Sequence, residues 1–231
     1  MSGPDASREL IAAASPQHPS LLDPTHQMDA LFGVVNIPNV IWIDEDGVIV
    51  RPPEPGWPSG ETPFPDDMFA SIPAMGSAPT APKPAADGPG QWDVLRSGQT
   101  RGDYADAIRD WVAHGAASRF ALTPDEVIAR SEPRSNDASR GAAHFELANR
   151  LWADDRAAAI EHFNACHRLQ PDNWTYKRQA WSLLGRETVG GKYGQFAQAP
   201  LAGEEADWPF ASDFGSDVVT TEVGGYYPST L

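Results

Sequence analysis

Reactive side chains are sparse in this chain. The one cysteine, Cys166, lies between His162 and His167. A thiol acts as nucleophile or metal ligand only as the thiolate, which needs a nearby positive charge or a helix N-terminus. One thiol cannot form an internal disulfide, a CxxC redox couple or a cysteine-based zinc site. His162 and His167 are five residues apart, which sets them well apart around a helix and suits a shared ion poorly. Cys166 therefore reads as a small buried apolar residue. The run Asp44-Glu45-Asp46 offers carboxylates to a cation but lacks the ligand count and spacing of a calcium loop. It reads as a solvated hairpin tip. No Ser/His/Asp spacing, phosphate loop or His/Glu zinc motif stands out, so the sequence assigns no catalytic residue, no metal site and no cofactor.

The elements that would position any chemistry fall into four stretches. Residues 1–55 have the order helix, strand, helix, strand, strand. Pro4 to Ala14 has helical spacing at Leu10, Ile11 and Ala14, and Pro16 stops it. Ser20–Leu22 is a candidate short strand. Thr25 is placed to cap a helix through Leu31 and Phe32, with Gly33 as its stop. The β-branched run from Val34 to Ile43 is interrupted by Pro38. Asp44–Gly47 is a hairpin turn, and Val48–Val50 is the returning strand. Residues 56–100 form a Pro/Gly/Ala-rich linker, within which Phe64, Met68, Phe69 and Ile72 could dock one short turn.

Residues 101–185 are helical. Tyr104, Ala107, Ile108, Trp111 and Val112 make an apolar stripe, and Thr123-Pro124-Asp125-Glu126 is a capping box with proline at the first helical position. Helices are predicted from about Asp137 to Trp152, Arg156 to Leu169 and Asn173 to Leu184. Residues 186–231 are an acidic, Gly-rich stretch without a sustained period, read as an irregular wrap. Trp42, Trp111, Trp174 and Trp181 fit core faces, whereas Trp57, Trp92 and Trp208 sit where aromatics pin long loops to a body.

Composition excludes several functions. A net charge of −15 over 231 residues repels phosphate backbones and anionic lipid. No nucleic-acid or membrane partner is expected. Neither the N-terminal fourteen residues nor Phe32–Ile43 has the length and apolarity of a signal or a bilayer span. The expected location is the cytoplasm.

The stretch from Gly33 to Val50 resembles the second half of thioredoxin-like proteins of the TlpA/ResA and peroxiredoxin type. Gly33, Val34, Ile37, Pro38, Trp42, Ile43, Asp44, Gly47, Ile49 and Val50 stand at that family's pattern positions, and the order of elements from Pro4 to Pro55 fits. The resemblance implies a cis Ile37–Pro38 bond, with Ile37 and Pro38 lining the active-site groove. From the residues alone, a proline between two β-branched runs must open a strand or sit at a bend, and a trans bond at an edge strand is the alternative. In the family the nucleophilic CxxC, or the single peroxidatic Cys, opens the helix after the first core strand. That strand and helix have no counterpart here, so the resemblance implies a thiol–disulfide oxidoreductase or peroxiredoxin without its catalytic thiol. The favoured expectation is a truncated frame whose catalytic Cys or selenocysteine lies upstream; loss of the catalytic half, leaving a scaffold, is the competing one.

Residues Ala148, Ala159, Phe163, Cys166 and Pro171 resemble a TPR motif, in which A-x3-F-x2-small-x4-P marks the second helix. The gap from Ala148 to Ala159 is one residue short of that pattern, and one repeat is too few for a self-sufficient solenoid. These residues read first as core. A protein-binding appendage, non-enzymatic and working through the helical half, is the alternative. The expected fold class is thus α/β followed by α: a partial thioredoxin-like fold with TPR-like helical hairpins.

Overall fold

The computed structural model describes residues 3–56, 103–131, 133–184, 198–200, 203 and 205–220. The fold is mixed α/β and mostly helical, with eight α-helices and one two-stranded antiparallel sheet among these residues. The predicted 56–100 linker, its short docking turn, and Trp57 and Trp92 lie almost wholly outside the described residues.

The chain opens with α1 (Gly3–Ala14), whose Leu10 is 74% exposed. No strand forms at Ser20–Leu22; Leu21 and Leu22 face solvent there. Helix α2 (Gln27–Phe32) begins one residue later than a Thr25 cap would place it. Its N-terminal groups go to Asp23 instead, whose two carboxylate oxygens accept from the Gln27 and Met28 N–H groups at 3.0 and 2.6 Å. The physical reason is His26, held in the left-handed region (φ 55°), which swings the start of the helix toward the earlier carboxylate. Gly33 is the C-cap, as the pattern predicts.

Strand β1 (Asn39–Ile43) pairs with β2 (Ile49–Pro55) across a turn at Asp44–Gly47. Asp44 Oδ1 accepts from the Asp46 and Val48 N–H groups, and Gly47 takes φ 78°, where a side chain would be strained. The acidic run is therefore a turn built on its first carboxylate. Among the described residues, no group of three or more His, Cys, Asp or Glu is arranged to hold a metal. The returning strand runs past Arg51 to Pro55, although its three prolines argued for a break. It tolerates them because one edge of β2 carries no further strand among the described residues, and because two register shifts interrupt the ladder.

Helix α3 (Asp103–His114) packs Tyr104 and Ala107 against Trp42, with Ile108 and Trp111 partly buried beside them. Val112 is 76% exposed and does not join that stripe. Helix α4 (Pro124–Ser131) starts at the predicted capping box: the Thr123 N–H donates to Glu126 Oε2 at 2.8 Å, and the Glu126 N–H returns to Thr123 Oγ1 at 3.4 Å. Those bonds hold the Glu126 carboxyl below its usual range. Helices α5 (Asn136–Leu151) and α6 (Arg156–Leu169) form a tight hairpin, followed by α7 (Trp174–Ser182). Each is capped by a side chain: Ser135 on Ala138, Asp155 on Ala158, Asn173 on Tyr176.

Residues 205–220 depart from the irregular wrap expected of the C-terminal stretch. They form a short 3-10 turn at Glu205–Asp207 and helix α8 (Phe214–Thr220), and they enter the main core. That core joins Trp208, Phe210, Phe214 and Val218 to Phe145, Phe163, Trp174 and Trp181. No helix among the described residues is long and apolar enough to cross a membrane.

Candidate functional site

The loop from Gly33 to Pro38 is where the two halves of the structure meet. Its Val35 carbonyl accepts two N–H bonds from the start of α7, from Trp174 at 2.7 Å and Thr175 at 3.2 Å. These are among the N–H groups that a helix leaves without intrahelical partners. Next to it, Asn36 Oδ1 accepts from the Ile37 N–H at 2.9 Å and from Arg178 Nη1 at 2.7 Å. Arg178 is fully buried, and Asn36 is 4% exposed. The Ile37–Pro38 bond is cis, the form that the resemblance implies.

A cavity of about 730 Å³ opens beside this loop, walled by Leu31, Phe32, Val35 and Pro53 on one side and by Arg134 and Tyr176 on the other. Its wall ends at Val35 and does not take in Ile37 or Pro38, which lie half-buried beyond it. The start of α2 closes onto the helical half here. The His26 ring meets Phe145 edge-on with centroids 5.2 Å apart and binds Asp29 Oδ2 at 2.7 Å.

The TPR-like positions are assembled in one place. Ala148, Ala159, Phe163 and Cys166 are fully buried at the α5–α6 contact, and Pro171 is exposed in the turn after α6. Gly141 leaves room for the Gln170 side chain, which donates to the Ala138 carbonyl at 2.9 Å: a Cβ there would lie 2.5 Å from Gln170 Nε2. Burial pushes the Cys166 thiol up to about 12, against a small opposing pull from Lys177. A protonated, fully enclosed thiol is neither nucleophile nor ligand.

His162 and His167 diverge, as their spacing predicts. His167 Nδ1 lies 2.7 Å from Ser212 Oγ, which also receives the Trp181 indole N–H at 3.3 Å. Desolvation pulls the His167 imidazole down to about 3, so the ring is neutral. The contact has the groups of a Ser–His pair, but Ser212 is 6% and His167 5% exposed. Substrate has no route to it, and the hydroxyl is consumed in linking α6, α7 and the segment before α8. His162 turns to the other side of α6.

A second buried polar cluster escaped the sequence reading. Arg51 binds Glu54 through both carboxylate oxygens, at 2.6 and 2.8 Å, and donates to the Phe120 carbonyl at 2.9 Å. Tyr104 donates to Glu54 Oε1 at 3.1 Å and accepts from the Trp42 indole N–H at 2.9 Å. Burial, then the Glu54 charge, drives the Tyr104 phenol well above its usual range. Gly56 lets the ring settle there: a Cβ would lie 2.6 Å from the Tyr104 ring. Trp42 stacks on Trp111 at 5.0 Å, and the Arg51 guanidinium sits 5.4 Å from the Trp42 ring centre. Arg51 and Glu54 lie a few residues before the predicted linker, and no local pattern marks a buried ion pair whose other partners lie 50 and 69 residues away.

No family model, no curated protein and no solved structure matches the chain.

Proposed function

We propose that the chain is the C-terminal part of a thioredoxin-like protein of the thiol–disulfide oxidoreductase or peroxiredoxin class. Its reactive cysteine or selenocysteine would be carried on a strand and helix outside this sequence, with the TPR-like helical segment packed behind. The observation that carries the reading is the unfinished surface of the α/β unit. Leu10, Leu21, Met28 and Leu31 are between 50% and 89% exposed, apolar surface that a further element could cover. Among the described residues, β1 also has no strand on its second edge, and a two-stranded sheet alone is marginal. A further strand and helix would cover both. The sequence pattern from Gly33 to Val50 specifies which fold would supply them.

In this reading the chain contributes the wall of an active site and no nucleophile, because its one thiol is buried and protonated. The experiment is a disulfide-reductase and peroxidase assay on this chain, set beside one extended upstream to include a strand and a Cys- or selenocysteine-bearing helix. Activity confined to the extended chain is the expected result. Activity in this chain alone would overturn the assignment. If neither form is active, the non-enzymatic reading takes over, in which the TPR-like helical half binds a protein partner.

A further inference from the structure

Within the α5–α6 hairpin, His144 and His162 face each other with their Nδ1 atoms 2.8 Å apart. The ring centroids are 5.0 Å apart, about the N···N distance plus one ring radius at each end. The two nitrogens therefore point head-on and do not converge on a third point, as two ligands of one metal ion would. A head-on N···N contact at this distance requires a proton between the atoms, with one ring donating and the other accepting. One added proton leaves that bond intact, since an imidazolium can donate to a neutral imidazole. A second added proton puts N–H groups on both facing nitrogens, removes the acceptor and sets two positive rings in contact.

We propose that His144 and His162 form an acid-sensitive latch across the α5–α6 hairpin, closed while one proton is shared between the facing nitrogens and opened when both carry their own. The surroundings sharpen the response. Two cations act on His144: Arg140, one turn earlier on α5, and Arg168 on α6. No carboxylate is among the groups that shift it, although Arg140 itself contacts Asp137 at 3.4 Å. Desolvation first, then His162 and these guanidiniums, hold the His144 imidazole below its usual range. Both rings are half-buried, so protons reach them without unfolding. His144 and His162 directly precede Phe145 and Phe163 of the packed core in the chain. Its opening would loosen the outer turns of the hairpin before the core is exposed. This inference is independent of the redox reading, because no thiol enters it.

The test is a histidine-resolved NMR titration of the full chain, run with chelator present and compared with His162→Gln. The latch predicts two separated protonation steps for the pair, and an upward shift of the His144 midpoint once His162 is removed. It also predicts lower amide protection, relative to the intrinsic exchange rate at each pH, at the facing turns of α5 and α6 at pH 5 than at pH 7. At each pH, protection around Trp181 should be the same in His144→Gln as in the unaltered chain, and the additional pH response of the hairpin should vanish in that variant. A His144 midpoint unmoved by His162→Gln would overturn the proposal. So would hairpin protection factors that ignore pH while the chain stays folded. Both substitutions fall on half-exposed positions, and the exchange at Trp181 reports whether each variant is folded.

Discussion

At the residue scale, the most consequential side chain is one the sequence offered for a different purpose. His167 drew notice as a neighbour of Cys166, but its fate was settled by enclosure against Ser212, Phe163 and Phe210. Its folded pKa, pulled down to about 3, lies below the ordinary 6.5 of the unfolded chain. Above pH 6.5 both states hold it neutral, and it costs nothing. As pH falls below 6.5 the unfolded chain takes up a proton that the native state refuses, so stability is lost progressively down to about pH 3. The full loss is on the order of 5 kcal/mol. Urea unfolding midpoints from pH 7 to 4 should fall accordingly, and His167→Asn should flatten that limb. An unchanged limb would place the acid sensitivity elsewhere.

At the element scale, the starts of α4 to α7 followed the sequence because each cap is local, whereas the Thr25 cap read for α2 gave way to Asp23. Ser135, Asp155 and Asn173 cap α5, α6 and α7 as short polar residues before apolar runs do. Helix α8 also has such a cap, Asp213 Oδ1 accepting from the Ser216 N–H at 2.9 Å, but the helix is short and its stabilising contacts come from Trp174 and the aromatics of the main core, so no sustained period marks it. Asn173 has the largest role among the caps. Its Oδ1 accepts from Tyr176 N at 3.0 Å, and its Nδ2 donates to Gln170 Oε1 at 3.0 Å, joining the end of α6 to the start of α7. Asn173→Ala should cost about 1–2 kcal/mol in equilibrium unfolding. Asn173→Asp keeps the acceptor and should recover most of it; equal losses in the two variants would remove the cap from the account.

At the scale of the whole molecule, the α/β unit and the helical half are joined through Val35 and Asn36 to the first turns of α7. A junction made of buried hydrogen bonds to a helix start and a guanidinium couples the two parts in one cooperative transition. Tryptophan fluorescence and far-UV circular dichroism should therefore report the same urea midpoint. Asn36→Ala leaves the buried Arg178 short of an acceptor and should cost about 1.5–3 kcal/mol. Two resolved transitions in the unaltered chain would contradict the coupling.

The amino-acid sequence by itself determined what is local: the helix starts and stops, the Asp44–Gly47 hairpin, the helical hairpin around Phe163, and the lack of a redox cysteine pair. These depend on backbone conformation, caps and periodicity within a few residues, or on composition alone. Tertiary structure decided what depends on distant partners. It placed Arg51 and Glu54 with Tyr104, set Arg178 against Asn36, enclosed His167 with Ser212, and brought His144 and His162 nitrogen to nitrogen. Burial and direction give each of these groups its chemistry, and both are properties of the packed chain that no single stretch of it carries.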